Sequence, residues 1–227
     1  MQIGTLALQD GAARVRNFIK RENRLPNMLK LKGVNSKGQT IEENIVLGKY
    51  LNLYYRVYNF MIKHGRWPNH ASLLGVSATC APMDFQNDKY SCGPASLSMA
   101  SAMLFNYRTE KIFKDVCGTN TSGTTPERLI SGAAKLGFKL TRINRNITAV
   151  NASLSKGRPI IAHIQTRPAR CLGFTNDYGH YVLIKQVVRG NYIVNDPTMG
   201  ENKVCAPEIL DKATNGRNIH YYSVSLL

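Results

Sequence analysis

A chain of 227 residues, 43% of them apolar, has room for one catalytic domain of ordinary size plus a small extra module, and this composition argues against wholesale disorder. Thirty Lys and Arg against fourteen Asp and Glu give a net charge of +16. The excess is spread evenly, with 12 basic and 4 acidic side chains before residue 79 and 18 and 10 after it, which points to an extended acidic partner (nucleic acid, an anionic membrane surface or a wall polymer) without choosing among them.

The N-terminus, MQIGTLALQDGAARVRNFIKRENR, has no uninterrupted apolar core behind a basic start, so no signal peptide is expected. No stretch approaches the ~18 apolar residues of a membrane span. The first 78 residues contain an internal repeat. Aligning 14–34 with 56–76, a shift of 42 positions, gives 10 identities in 21 positions, among them Arg14/Arg56, Val15/Val57, Phe18/Phe60, Arg24/Arg66 and Pro26/Pro68. A repeat of this period is one small structural unit used more than once. Val15, Phe18 and Ile19 fall on one face of a helix, as do Val57, Phe60 and Met61, and each helix must end before its proline. Residues 41–63 are expected to add one or two further helices, with a loop at 35–40. Trp67, Tyr54, Tyr55 and Tyr58 are expected to form the core of this small module in preference to a sugar-stacking platform. Arg24 and Arg66 are open to two readings, wall contacts or solvated charges.

Residues 77–89 are irregular. A helix is expected over 93–106, with Pro94 in its first turn, a second near 109–116, and a third opened by Thr125-Pro126-Glu127 and closed by Gly137. The segment RPIIAHIQ (158–165) has the composition of a buried strand. HYVLIKQVV (180–188) and NYIVND (191–196) form a hairpin around Arg189-Gly190. A short helix from 206 and a strand over 219–227 complete an α+β domain, with helices first and a mostly antiparallel sheet after. The domain boundary is placed between 1–78, read as a helical module, and 79–227.

Five cysteines, none spaced as Cys-x-x-Cys, support neither a disulfide framework nor a zinc ribbon. Cys80, Cys117, Cys171 and Cys205 are read as structural. Cys92 differs because it stands directly before a helix, whose free N–H groups and dipole favour a thiolate. Gly93 and Gly179 are expected to leave room for substrate. His180 begins one strand of the hairpin and Asp196 ends the other, and an antiparallel return brings such ends together. A carboxylate there holds an imidazole in one tautomer. Asn195 and Asp177 are rivals for that role, although strand alternation forbids Asn195 and Asp196 from both facing His180. His64, His70, His163 and His220 show no partner pattern.

Gln86, six residues before Cys92-Gly93-Pro94-Ala95, followed by Gly179-His180-Tyr181-Val182 and then Asn195-Asp196-Pro197, resembles the papain-like cysteine peptidases of the bacteriocin-leader-processing type. The resemblance spans residues 80–227. It implies a Cys92–His180–Asp196 triad, with an oxyanion hole formed by the Gln86 side chain and the Cys92 N–H. The N-terminal repeat, a helix followed by Arg-Leu-Pro-Asn, looks like the pseudomurein-binding repeat. Together the two parts resemble the pseudomurein endoisopeptidases of viruses infecting methanogenic archaea. That resemblance implies hydrolysis of the isopeptide bond between alanine and the lysine ε-amine in wall cross-links, with the acidic wall as partner. It also implies calcium dependence, although no ligand cluster such as an EF-hand loop is visible. One full repeat and the front half of another are recognised. The chain is expected to be a monomer made in the host cytoplasm and acting at the archaeal wall, with no nucleic acid partner and no stable membrane insertion. The competing readings are a papain-like peptidase processing a peptide substrate and a non-catalytic wall-binding protein.

Overall fold

The computed structural model describes residues 2–22, 26–35, 37–64, 66, 68, 70–72, 83–213 and 220–227. The chain divides into two compact units, 1–82 and 83–227.

The first unit runs β1 (Gln2–Gly4), α1 (Thr5–Glu22), β2 (Met28–Val34), β3 (Thr40–Val46), α2 (Leu47–His64) and β4 (His70–Ser72). Its antiparallel sheet has the order β3-β2-β1-β4. The helices stand where the apolar spacing put them, and the 42-residue shift carries the bounds of α1 onto those of α2. The same shift governs the sheet. Gln2, Ile3 and Gly4 face Ser72, Ala71 and His70, and 42 residues on, Asn44, Ile45 and Val46 face Lys30, Leu29 and Met28. Each of these ladders joins the strand before one copy's helix to the strand after the other copy's helix, so neither copy completes its pairing alone.

The module is therefore not purely helical, as the repeat had suggested. Residues 41–46, expected as helix, form β3. In β2 exposed and buried residues alternate, with Leu29 and Leu31 inward and Lys30 and Lys32 outward, a period of two that only a strand presents. The expected loop is the hairpin turn between them. Asn35 Oδ1 accepts from the N–H groups of Lys37 and Gln39, and Gly38 supplies a φ of 77°, which glycine adopts without a Cβ clash. The second copy continues past its helix into β4, within the aligned stretch 56–76, so it is more than a front half. Val15 and Val57 are buried at matching positions, and Tyr50 and Tyr54 join them in the core. Arg24, Trp67, Cys80 and the side chains of Tyr55 and Tyr58 lie outside the described residues.

The second unit begins with three helices, α3 (Cys92–Met103), α4 (Glu110–Cys117) and α5 (Pro126–Lys135). They are followed by β5 (Phe138–Ile143), α6 (Ile147–Leu154), β6 (Ile160–Gln165), β7 (Gly179–Val188), β8 (Asn191–Asp196), β9 (Gly200–Cys205), α7 (Pro207–Ala213) and β10 (Tyr221–Leu226). The antiparallel sheet has the order β5-β10-β6-β7-β8-β9. Local signals explain most of it. Thr125 caps α5 by accepting from Arg128 N, with proline in the first turn. Arg189 and Gly190 both take positive φ, 48° and 78°, the paired left-handed turn that matches the twist of a two-residue hairpin. β5, α6 and β9 were not anticipated.

Alternation along the strands sends side chains to two cores. Leu183, Tyr181 and Val224 pack with Leu97, Met99, Phe113 and Leu129 of the first three helices. Val182, Ile184 and Tyr192 pack with Val150 of α6 and Leu210 of α7. Every residue of α3 from Gly93 to Ala102 is buried, which its small and apolar composition permits on all sides. Cys171 and Cys205 form a disulfide with Cα atoms 5.3 Å apart. These two cysteines were read only as structural, because an odd count and uninformative spacing give no pairing. The geometry joins them because the 3-10 turn Arg170–Leu172 lies against β9. Cys117 is a buried free thiol pushed up to about 12 by burial, which makes it inert.

Candidate active site

The start of α3 and the near ends of β7 and β8 meet at a cleft of about 720 Å³. Cys92 is the first residue of α3 and is partly exposed. Its amide is among the four that a helix start leaves without an internal carbonyl. Leu183 and Asn195 are paired across the hairpin. One step on, Asp196 therefore lies opposite Val182 and is the diagonal, same-face neighbour of His180. The side chains close that gap: His180 Nε2 lies 3.0 Å from Asp196 Oδ1. The ring's other nitrogen, Nδ1, is left for Cys92, whose side chain also raises the ring's hold on a proton.

Both members of the His180–Asp196 pair are almost completely buried. Burial by itself pushes the His180 imidazole down, but the bonds to Asp196 and Cys92 outweigh it and hold the ring up at about 9. Phe174 and Tyr178 stand edge-on to the ring, with centroids 5.1 and 6.1 Å away, which excludes water from one side. Asp196 Oδ1 also accepts from the N–H groups of Thr198 (2.8 Å) and Met199 (3.0 Å), so the turn after β8 holds the carboxylate in place. Asn195 points away and accepts from Asn202 N. Asp177 accepts from Arg167 N. Neither rival pairs with His180.

Gln86 lines the same cleft. Its Nε2 donates to the Asp88 carbonyl and its Oε1 accepts from Thr198 Oγ1. An amide nitrogen carries two hydrogens, so one remains for the cleft. Gly179 lines the cleft as expected. Gly93 does not. A Cβ there would meet Leu129 Cδ1 at 2.9 Å and Tyr181 Cδ2 at 3.3 Å, so its smallness serves packing of α3 on the core, not substrate approach. A backbone position beside the nucleophile is ambiguous in sequence, because successive helical residues point about 100° apart and only one of them faces the cleft.

Three contributors escaped sequence reading. His163 of β6 lines the cleft and stacks on Tyr181, centroids 4.3 Å apart. Thr198 links the Gln86 amide to the turn that holds Asp196. Glu110, in the first turn of α4, is 2% exposed. Its carboxylate accepts from Asn87 N at 3.0 and 3.1 Å and from the Asn87 side chain. It thereby pins the segment that joins Gln86 to Cys92. An acid after a Thr cap reads as a solvated dipole partner, and no local signal reveals that a loop covers it. Burial pushes Glu110 up, and it pushes the nearby Asp84, bonded to Ser98 at 2.6 Å, up to about 6.

Replacing Glu110 with glutamine turns one of these acceptors into a donor against an N–H group. The expected result is roughly a five- to ten-fold fall in kcat with KM little changed, the size of one lost ordinary hydrogen bond of about 1 kcal/mol. Steady-state kinetics beside a thermal melt check it, and activity lost only in proportion to folded protein would count against a positioning role.

Among the described residues no group of three or more His, Cys, Asp or Glu is placed to hold a metal ion. The calcium that the resemblance implies therefore has no acidic cluster to hold it among those residues. No described helix is long and apolar enough to cross a membrane.

The family model of the Peptidase C39 family matches residues 81–214. An uncharacterized protein of Methanothermobacter marburgensis is 28% identical over 119 residues, 52% of this chain and 73% of that protein. Among solved structures, the peptidase domain of Streptococcus ComA, a bi-functional ABC transporter involved in a quorum sensing pathway, is 20% identical. Its TM-score is 0.51, covering 63% of this chain and 98% of that one, and the likeness shows the fold. A double glycine motif protease from an AMS/PCAT transporter, in complex with a leader peptide, is also 20% identical, with a TM-score of 0.46 over 63% of this chain and 91% of that one.

Proposed function

The chain belongs to the peptidase C39 family of cysteine peptidases, and we propose that within it this protein is a wall-lytic enzyme that cleaves the isopeptide bond between alanine and the lysine ε-amine in pseudomurein cross-links. The observation that carries the reading is the joining of a C39 unit to a basic module made from two copies of a 42-residue repeat, each helix flanked by strands paired to the other copy. A relative in Methanothermobacter marburgensis is of the methanogen lineage that the reading requires. The net charge of +16 suits an acidic wall polymer, and the repeat module is the part assigned to anchoring on it. The two copies act as one paired unit, so the anchor counts once and avidity within a single chain is low.

The chemistry follows from the geometry. His180 Nδ1 takes the Cys92 proton, and Sγ attacks the acyl carbon. The Cys92 N–H and the remaining Gln86 hydrogen stabilise the tetrahedral oxyanion. His180 returns its proton to the departing lysine amine, then activates water to hydrolyse the thioester. Asp196 keeps Nε2 occupied throughout, so Nδ1 is always the nitrogen that faces the reaction.

A second reading, a peptidase trimming a linear peptide, is supported by the likeness to a transporter peptidase domain. One experiment separates the two. Wild type and Cys92→Ala are incubated with purified pseudomurein under reducing, anaerobic conditions, while turbidity and freed ε-amines are followed. We expect wild type to clear the wall and free amines, and the variant to bind without cleaving. Binding by both with cleavage by neither sinks the wall-lytic assignment and leaves a wall-binding module or a peptidase with another substrate, such as a linear peptide.

A further inference from the structure

The cleft in front of Cys92 is electrically one-sided. Among the described residues that line it, Lys89 carries a positive charge and no carboxylate faces the space. Lys89 is exposed and lies three residues before the nucleophile, on the rim that carries Gln86. Its neighbour Asp88 does not neutralise it, because Asp88 is bound to Lys114 of α4. Two helices also begin at this cleft, α3 at Cys92 and α5 at Pro126. Their positive ends reinforce the field of Lys89. The rim also carries hydroxyl groups, on Thr121, Ser122, Thr125 and Tyr178, that can donate to a carboxylate.

We propose that the cleft selects peptides with a free carboxylate flanking the scissile bond, and that Lys89 is the residue that receives it. This rests on Cys92 as nucleophile and narrows the substrate to an anionic peptide. Asp196 sits behind His180, buried, and its charge is taken by the imidazole, so it does not repel such a substrate from the open side.

The test uses two synthetic isopeptides with alanine joined to a lysine ε-amine, identical except that one carries glutamate and the other glutamine beside the bond. Affinity is measured on the full chain carrying Cys92→Ala, and kcat/KM on wild type, Lys89→Ala and Lys89→Glu. We expect wild type to prefer the glutamate peptide about three- to ten-fold in both measurements, the range of an exposed ion pair aided by helix ends. The preference should shrink in 0.5 M salt, as expected from a Debye length of about 3–8 Å, fall in Lys89→Ala to the small remainder that the helix ends supply and reverse in Lys89→Glu. Alkylation of Cys92 by iodoacetamide, followed in each Lys89 variant, checks that the thiol is still reactive and gives the change in thiolate fraction against which kcat/KM is compared. Equal binding of the two peptides, or a preference undiminished in Lys89→Ala, overturns the proposal even if both are cleaved. Preferential binding without cleavage leaves the anion selectivity standing and counts against the isopeptidase reading. Failure to bind or cleave either peptide overturns both.

Discussion

Asp196→Ala is expected to lower kcat by about 10²- to 10³-fold and to move the alkaline limb of the pH profile downward, because one carboxylate oxygen does three jobs. Asp196 Oδ1 takes the bond from His180 Nε2 and the N–H groups of Thr198 and Met199. Without it the imidazole loses its fixed tautomer, and the turn whose Thr198 bonds Gln86 loses its anchor. His180 stands at about 9 against an ordinary 6.5, so between those values the folded protein binds the extra proton. The stabilisation it brings, about 3 kcal/mol at about 1.36 kcal/mol per tenfold, is complete below 6.5 and disappears as pH rises to about 9. Wild-type activity should fall over the last part of that window, as the imidazolium is lost.

In Asp196→Ala burial acts with less to oppose it, and the limb shifts to lower pH. Asp196→Asn is the informative partner. An amide oxygen can still accept from His180, so geometry survives and kcat falls less, yet the charge is gone and the limb shifts all the same. Stopped-flow alkylation of Cys92 across pH, with kcat on the wall substrate, would show this. An alkaline limb unchanged in both variants would mean that Asp196 does not set the state of His180.

The second large effect is on stability. Cys171→Ser with Cys205→Ser should cost about 3–4 kcal/mol, the loop-closure value for a 34-residue separation. For a unit of this size that is roughly ten degrees in Tm. The loss should extend to function. The bridge ties the connection carrying Phe174 and Tyr178, which wall His180, to the strand after the Asp196 turn. Cys205 is fully buried, so mild reductant should keep Cys92 reduced while sparing the bridge. A melt of the double serine variant coinciding with wild type, each without reductant, would remove the bridge from the folded protein.

These expectations rest on features that differ in how openly the sequence displays them. α3, α5 and the β7–β8 hairpin were legible because their signals are local: a proline in a first turn, a Thr cap, a two-residue turn that needs positive φ. His180 and Asp196 were legible for the same reason, since a short hairpin returns its ends together whatever surrounds it. The 42-residue repeat was visible as identity, and the helix positions followed from apolar spacing. The pairing of its strands did not, although β2 alternates visibly, because β1 meets β4 across about 70 intervening positions and each copy's ladder is completed by the other. The Cys171–Cys205 bridge, the packing duty of Gly93 and the covered carboxylate of Glu110 share that character. A residue's own window decides its local geometry through backbone sterics and nearest-neighbour hydrogen bonds. Which distant segment comes to lie on it is decided by burial and pairing between parts of the chain that no local window contains, and only the tertiary structure settled those.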